Sequence, residues 1–199
     1  MPLTKNRIKI AKSFDLASNS YDVSARLQRF SGKHLLPWLP NRNDLTVLDL
    51  GCGTGFFTEL LASKFQQVIG VDISSNMLQF TKANRSDEIN LVAGDAFQLP
   101  FIDNSIDCIY SNLVVQWCNP LDKALDEIFR VLKPGGLFVF STLLDQTLGE
   151  LKSAWSQVDD DKHVIDFKEE GELLELLNGQ YSSLLEHQVQ DIILEYENV

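Results

Sequence analysis

The sequence predicts an α/β fold in which an open parallel sheet carries helices on both faces. Between Thr46 and Thr142, short apolar runs alternate with segments of helical periodicity, which is the pattern of a parallel sheet with helical connections. The first run, Val47–Leu50, leads into a turn with three glycines, and the second, Gln67–Asp72, ends in an acidic residue. Open sheets of this class bind ligands beyond the carboxyl ends of their strands.

The first glycine turn predicts close contact between backbone and ligand. Gly51, Gly53 and Gly55 alternate along it, and glycine allows both close approach and positive φ. Asp72 closes the next strand, from which a carboxylate can hydrogen-bond both hydroxyls of a ribose. With Asp49 just before the turn, these residues predict a site for a nucleoside-bearing cofactor.

The spacing of the glycines separates the cofactor classes. A dinucleotide fingerprint, Gly-x-Gly-x-x-Gly, fails because Phe56 stands where its third glycine belongs, and no Gly-Lys-Ser/Thr of a P-loop follows. The pattern that starts at Asp49, Asp-x-Gly-x-Gly-x-Gly, resembles that of class I S-adenosylmethionine-dependent methyltransferases. This resemblance implies a Rossmann-like methyltransferase sheet, with S-adenosylmethionine as cofactor and S-adenosylhomocysteine as product.

Later segments supply the other strands in order. The third is expected at Leu91–Phe97, the fourth at Ser105–Asn112, and the fifth at Leu137–Thr142, after a helix end and turn over Glu127–Gly136. Polar residues lie at or near four strand ends. The resemblance implies that Asp95 contacts the adenine amino group, and it implies a cofactor-binding set of Asp49, Gly51, Cys52, Gly53, Gly55, Asp72, Ile73, Met77, Asp95, Ala96, Phe97, Ser111 and Asn112.

We predict one methyltransferase domain over residues 1–199. It comprises an N-terminal helical lid (1–42), the cofactor-binding core (44–142), a helical substrate-side insertion (143–180) and an extended segment (181–199). The added segments resemble the biotin-pathway malonyl-[acyl-carrier protein] O-methyltransferases. The resemblance rests on the leader Phe14–Gln28, the run Ser111–Cys118, the run Phe140–Leu143, and Ala154-Trp155-x-x-Val158-Asp159 with His163 and Phe167.

That resemblance implies methylation of the free carboxylate of a malonyl thioester, on malonyl-acyl carrier protein or malonyl-CoA. A carboxylate with a pKa near 4 is already ionised at neutral pH, so no general base is needed. Tyr21 is the candidate catalytic residue because it would orient the acceptor, and Gln116, Trp117 and His163 are candidate substrate contacts. Two alternatives stay open: methylation of a free small acid such as trans-aconitate, and a non-catalytic, shortened cofactor-binding homologue.

Two features depart from the family pattern. After His163 the family usually has a small residue and then Asn-Arg-Phe, where this chain has Val164-Ile165-Asp166-Phe167. The family fold also adds a helix and a final antiparallel strand after the extended segment, which we expect to be missing. We therefore expect Gln188–Tyr196 to pair with the fifth strand, or a dimer to cover this open sheet edge.

Composition and charge narrow the function classes. The chain has 199 residues and a net charge of −11; no run reaches the 18 apolar residues of a membrane span. Three cysteines without metal-ligand spacing indicate reduced thiols and a cytoplasmic location. Overall acidity argues against a nucleic-acid substrate. Residues 1–43 nevertheless carry a net +6, as either a solvated amphipathic helix or a basic lid that meets an acidic partner.

Overall fold

The computed structural model describes residues 4–17, 25–86, 89–159, 161, 163–181 and 184–193. The chain divides into two compact units, one of residues 1–141 with 190–199 and one of residues 142–189. The first contains the sheet and its helices, and the second contains two further helices. That residues 1–199 form a single domain stays a prediction.

The sheet has five parallel strands in the order β3-β2-β1-β4-β5. The predicted parallel α/β architecture is confirmed. The chain moves outward from β1 to β3 and then returns to the other side of β1, so the strand order reverses between β1 and β4. Crevices at such reversals bind ligands. The strands are β1 (Thr46–Leu50), β2 (Gln67–Asp72), β3 (Asn90–Ala93), β4 (Ile106–Asn112) and β5 (Leu132–Ser141).

Seven α-helices lie within the described ranges. Amphipathic periodicity explains the helix Leu121–Val131, because its apolar residues recur mostly at intervals of three or four positions and are buried. Among the described residues, no helix combines the length and apolar composition of a membrane span. The helices are α1 (Lys5–Ala17), α2 (Arg26–Leu35), α3 (Phe56–Ala62), α4 (Ser75–Asn84), α5 (Leu121–Val131), α6 (Gly149–Trp155) and α7 (Glu170–Gln180).

The core is centred on β1 and β4, which are buried on both faces. Val47, Leu48 and Tyr110 have no exposed surface, as expected when helices cover both sides of a parallel sheet. The Tyr110 hydroxyl donates to the carbonyl of Gly32 at 3.0 Å, which attaches α2 to β4. A side chain at Gly32 would lie 2.3 Å from the Phe57 ring, so this close helix–sheet contact requires glycine.

The fifth strand begins earlier than predicted. Leu132 pairs with Ile106 and Leu137 pairs with Cys108, with a register shift between the two pairs. The predicted turn around Gly135 is therefore a bulge within β5, and Gly135 has a φ of +76°. Such bulges bend one strand without ending the pairing. Within the described sheet, β5 is an edge strand.

The segment that was expected to pair with β5 forms no strand over its described part, Gln188–Ile193; residues 194–199 lie outside the described ranges. That part of the prediction is wrong. Val189 and Ile193 are 54% and 86% exposed, so the segment buries no apolar face that would fix a strand register. Dimerisation through the edge stays a prediction.

Candidate functional site

The glycine turn between β1 and α3 has the predicted positive φ angles: +74° at Gly51, +54° at Gly53 and +74° at Gly55. A Cβ at Gly51 would lie 2.2 Å from Val114, and one at Gly55 would lie 2.3 Å from Thr81. A Cβ at Gly53 would meet no atom within 4 Å. The outer glycines are therefore required for packing, whereas Gly53 faces open space.

Neighbouring elements hold this turn in place. The amides of Gly51 and Cys52 donate to the carbonyl of Val71 at 2.7 and 3.0 Å. From α4, the Thr81 hydroxyl donates to the carbonyl of Gly53 at 2.9 Å. Just beyond α4, Arg85 Nε donates to the carbonyl of Thr54 at 3.0 Å. Contacts within the protein thus fix the conformation of the turn.

Asp72, at the end of β2, is nearly buried, with 8% of its surface exposed. Its Oδ2 accepts the Gly53 amide and its Oδ1 accepts the Ser74 amide, both at 2.8 Å. Burial raises the pKa of this carboxyl, and the backbone hydrogen bonds from Ser74 and Gly53 oppose that rise. Because a carboxylate oxygen can accept two hydrogen bonds, these bonds leave each oxygen with further acceptor capacity.

Asp49, at the end of β1, is more deeply buried, with 2% exposure. Its Oδ2 accepts the Thr58 hydroxyl at 2.6 Å. Burial raises the pKa of Asp49 to about 7, and the nearby charge of Asp72 adds to this rise, while the bond from Thr58 opposes it. Asp49 therefore lies beneath the turn as a carboxyl that titrates near neutral pH.

A cavity of about 760 Å³, which includes its part open to solvent, lies at the carboxyl ends of the strands. Most of its wall is apolar, and the polar atoms converge from α1 and from the strand ends. Its lining residues are Arg7, Ile10, Phe14, Leu50, Gly51, Gly53, Val71, Asp72, Ile73, Met77, Gly94, Asp95, Ala96, Phe97, Asn112, Leu113, Val114, Trp117 and Cys118.

Helix α1 forms one wall of this cavity and is attached at both ends. Near its start, the Arg7 guanidinium forms an ion pair with Asp95 and lies 4.7 Å from the centre of the Phe97 ring. Near its end, the Asp15 carboxylate accepts hydrogen bonds from the Ser74 hydroxyl and from the amide of Asn76. The structure therefore places α1 against the edge where β2 and β3 end.

Asn112, at the end of β4, joins three elements. Its Oδ1 accepts the hydroxyls of Ser31 and Ser141 at 2.7 and 2.8 Å, and its Nδ2 donates to the carbonyl of Gln28 at 2.9 Å. Asn112 also lines a second cavity of about 470 Å³, behind the glycine turn. Gly51, Gly53 and Asn112 line both cavities, whereas Arg29 lines only the second.

Most predicted cofactor residues lie around these two cavities. Asp49 and Cys52 line only the second cavity, and Gly55 and Ser111 line neither. Ser111 is fully buried and donates to the carbonyl of Leu50 at 3.0 Å. Their roles stay predictions. The predicted residues that line the first cavity are Gly51, Gly53, Asp72, Ile73, Met77, Asp95, Ala96, Phe97 and Asn112.

The predicted acceptor residues are more scattered. Trp117 lines the first cavity and contacts Phe14 edge to face, with ring centres 5.6 Å apart. Gln116 precedes it in a 3-10 turn and lines neither cavity. His163 belongs to residues 142–189, where its ring stacks on Trp155 at 3.9 Å. Tyr21, the predicted catalytic residue, lies outside the described residues.

The sequence analysis assigned no site role to the three residues of α1 that line the first cavity: Arg7, Ile10 and Phe14. They are three and four positions apart, so they share one face of α1. That spacing was available in the sequence. What it lacked was any indication that this face lines the cavity at the strand ends.

Comparisons with known proteins agree with this geometry. Residues 48–140 match a family described as a methyltransferase domain. One chain of a solved complex between the Haloferax volcanii Trm112 methyltransferase activator and a methyltransferase is 25% identical, with a TM-score of 0.70 over 83% of this chain and 74% of that one. An S-adenosylmethionine-dependent methyltransferase from Mesorhizobium loti is 32% identical, with a TM-score of 0.53 over 56% of this chain and 53% of that one.

Curated relatives narrow the family. The biotin biosynthesis bifunctional protein BioHC of Cellvibrio japonicus is 47% identical over 78% of this chain and 31% of its own. The malonyl-[acyl-carrier protein] O-methyltransferase of Yersinia pestis is 41% identical over 83% of this chain and 62% of its own. The chain thus spans less than two thirds of the length of each of these two relatives. That of Hamiltonella defensa is 36% identical over 90% of this chain and 69% of its own. The chain belongs to the malonyl-[acyl-carrier protein] O-methyltransferase family.

Proposed function

We propose that this protein transfers a methyl group from S-adenosylmethionine to the free carboxylate of malonyl-acyl carrier protein. The observation that carries the proposal is the arrangement of Asp72. Its buried carboxylate, held by the amides of Gly53 and Ser74, faces an apolar cavity at the reversal of strand order. A ribose with two free hydroxyls matches that arrangement.

The residues present fit this cofactor. Adenosine has one flat apolar group and a polar ribose, and the first cavity offers Ile73, Met77 and Phe97 beside Asp72. The open space in front of Gly53 lets the backbone approach a ligand closely. In the second cavity, Arg29 provides a cation that suits the carboxylate of the methionine part. Asp95 would hold the adenine amino group, next to its ion pair with Arg7.

The reaction asks the protein to position groups rather than to move protons. When bound, S-adenosylmethionine supplies a methyl group on a positively charged sulfur. The acceptor carboxylate is already ionised at neutral pH, so the chain must exclude water from it and hold it in line. The aromatic pair of Phe14 and Trp117 provides an apolar wall for this purpose, and we assign the orienting hydrogen bond to Tyr21.

The identity of the acceptor rests on the relatives. Malonyl-[acyl-carrier protein] O-methyltransferase is the name of several proteins that are 40–44% identical to this chain, and another is named for biotin biosynthesis. Methylation of the terminal carboxylate would mask its charge, so that the thioester resembles an ordinary acyl chain. We place this reaction in the cytoplasm. A malonyl group on CoA presents the same carboxylate and is a second candidate acceptor.

A methyl-transfer assay tests the proposal. The full chain is incubated with S-adenosylmethionine labelled on its methyl group, together with malonyl-carrier protein, malonyl-CoA or free trans-aconitate. We expect label on malonyl-carrier protein, with malonyl-CoA a poorer acceptor, and no label on the free acid. Succinyl-carrier protein serves as a matched control for the length of the acyl group.

The outcomes separate the alternatives. Label only on the free acid would assign the chain to small-acid methyltransferases. Binding of S-adenosylhomocysteine without transfer to any acceptor would indicate a non-catalytic cofactor-binding protein. Preferential binding of NAD would overturn the cofactor assignment itself.

A further inference from the structure

The outer face of α1 carries a basic stripe, which we define as Lys5, Lys9 and Lys12. These residues are four and three positions apart, so they lie on one side of the helix. The cavity-lining residues Arg7 and Phe14 lie on the opposite side. One helix therefore presents an apolar wall to the cavity and a row of three cations to the outside.

The lysines of the stripe are available to a partner. All three are exposed, and none has an ion-pair partner among the residues that the structure describes. The acidic residue of α1, Asp15, is instead turned to Ser74 and Asn76. Leu16 follows Lys12 by four positions on the same face of α1 and is 87% exposed. It therefore offers an apolar contact at the end of the stripe.

The charge of the rest of the chain makes this stripe distinctive. Residues 44–199 carry a net charge of −17, so an acidic protein is repelled by most of the molecule. It is attracted to the basic N-terminal region, where the stripe forms a row of exposed cations. Complementary charge of this kind guides encounter and fixes orientation more than it adds affinity.

We propose that the basic stripe, with Leu16 at its end, is the docking surface for the acidic carrier protein that presents the malonyl group. The proposal rests on the proposed function, because it assigns a partner to the same cavity. An α-helix is about 10 Å across, and a phosphopantetheine arm is long enough to reach around it. A carrier docked on α1 therefore delivers its thioester to the cavity that α1 closes.

The test compares two acceptors that share the reacting group. Malonyl-carrier protein is compared with malonyl-pantetheine, which lacks both the phosphate and the acidic protein and keeps only the charge of the reacting carboxylate. The variant Lys5→Glu, Lys9→Glu, Lys12→Glu is expected to lower kcat/KM for malonyl-carrier protein about ten- to a hundredfold. It should leave kcat/KM for malonyl-pantetheine unchanged, and added salt should weaken only the reaction with the carrier.

A matched control makes the same change of charge elsewhere. Lys33, Lys64 and Lys123 are exposed lysines that line neither cavity, and their replacement by glutamate should leave both acceptors unaffected. An equal loss with both acceptors in the stripe variant, or an equal loss in the control, would overturn the proposal. So would a stripe variant that changes only the oligomeric state in sedimentation, since the stripe would then bind a second copy of the chain.

Failure of the proposed function would be recognised separately. In that case the wild-type chain methylates neither thioester. Docking is then decided by the binding of the unacylated carrier, measured by fluorescence anisotropy. Tight binding that the stripe variant loses would support docking without the reaction, and equal binding by both chains would refute it.

Discussion

Asp49 and Asp72 lie at the carboxyl ends of adjacent strands, and burial raises the pKa of both carboxyls. They differ in their hydrogen bonds. Asp72 accepts two backbone amides, whereas Asp49 accepts a single hydroxyl from Thr58. An ionised carboxylate needs several donors when it is removed from water, so the two positions suit different purposes: Asp72 faces the first cavity, and Asp49 lies beneath the turn.

The raised pKa of Asp49 predicts a specific pH dependence of stability. Its ordinary value is 3.8 and its folded value is about 7. Between these values the folded protein binds the proton more tightly than the unfolded chain, so the contribution of Asp49 to the free energy of unfolding falls as pH rises. Asp49→Asn removes this dependence. We expect the variant to gain stability over the wild type across this window, by up to about 4 kcal/mol at pH 7.

Urea denaturation of both proteins at pH 4, 5.5, 7 and 8 measures this difference. The comparison is internally controlled, because every other titrating group is common to the two chains. The difference should level off at about pH 8, where Asp49 is largely ionised in both states. A difference that does not change between pH 4 and 7 would show that Asp49 titrates normally.

Asp72 is expected to govern cofactor affinity. Asp72→Ala removes the proposed partner of the ribose hydroxyls, and loss of hydrogen bonds to a charged group costs about 1.5–3 kcal/mol, or roughly ten- to a hundredfold in affinity. Calorimetry with S-adenosylhomocysteine measures the change. Asp44→Ala, which removes an exposed carboxylate paired with Arg42, is the control. Unchanged affinity in Asp72→Ala would contradict the proposed cofactor site.

At the scale of elements, the parallel sheet and its glycine turn could be predicted from sequence, since apolar runs and alternate glycines are local signals. The resemblance predicted an N-terminal helical lid, but not which residues of α1 line the cavity, because the contact between Arg7 and Asp95 joins residues 88 positions apart. The predicted pairing of Gln188–Ile193 with β5 was wrong for a similar reason. Gln188–Ile193 has the composition of a strand, but a strand also needs a partner and a buried face.

The geometry of the turn also predicts that substituting two of its glycines affects different properties, the stability of the fold in one case and ligand affinity in the other. Gly53→Ala puts a methyl group into open space beside the cavity, whereas Gly55→Ala drives one into Thr81. Both have positive φ, so each carries a conformational cost of about 1 kcal/mol. We expect Gly55→Ala to lose clearly more stability, by about 2–4 kcal/mol in all, and Gly53→Ala to lose mainly affinity for S-adenosylhomocysteine.

Thermal unfolding and calorimetry on the same two variants check this. Each variant serves as the control for the other, because the substitution and the sign of φ are the same. If both lose stability equally and bind the ligand equally, the space in front of Gly53 is not part of the binding site.

In the molecule as a whole, the N-terminal helix α1 belongs both to the wall of the first cavity and to the basic surface outside it. α1 closes the cavity through Arg7 and Asp15, while its outer face carries the basic stripe. The proposed cofactor site and the proposed docking surface therefore share one element. A ligand that fills the cavity should stabilise α1 along with the sheet, because it adds contacts to Ile10 and Phe14, which line the cavity wall.

This coupling gives a prediction for the intact chain. At a hundred times its dissociation constant, S-adenosylhomocysteine should raise the free energy of unfolding by about 2.7 kcal/mol, which corresponds to a rise in Tm of roughly 5–10 °C for a chain of this size. NAD should have no such effect, and Asp72→Ala should reduce the gain to about 0.4–1.4 kcal/mol at the same ligand concentration, given its ten- to hundredfold weaker binding. Hydrogen exchange should show slower exchange of the α1 amides in the complex. A normal rise in Tm with unchanged exchange in α1 would mean that the ligand binds the sheet edge without contacting this helix.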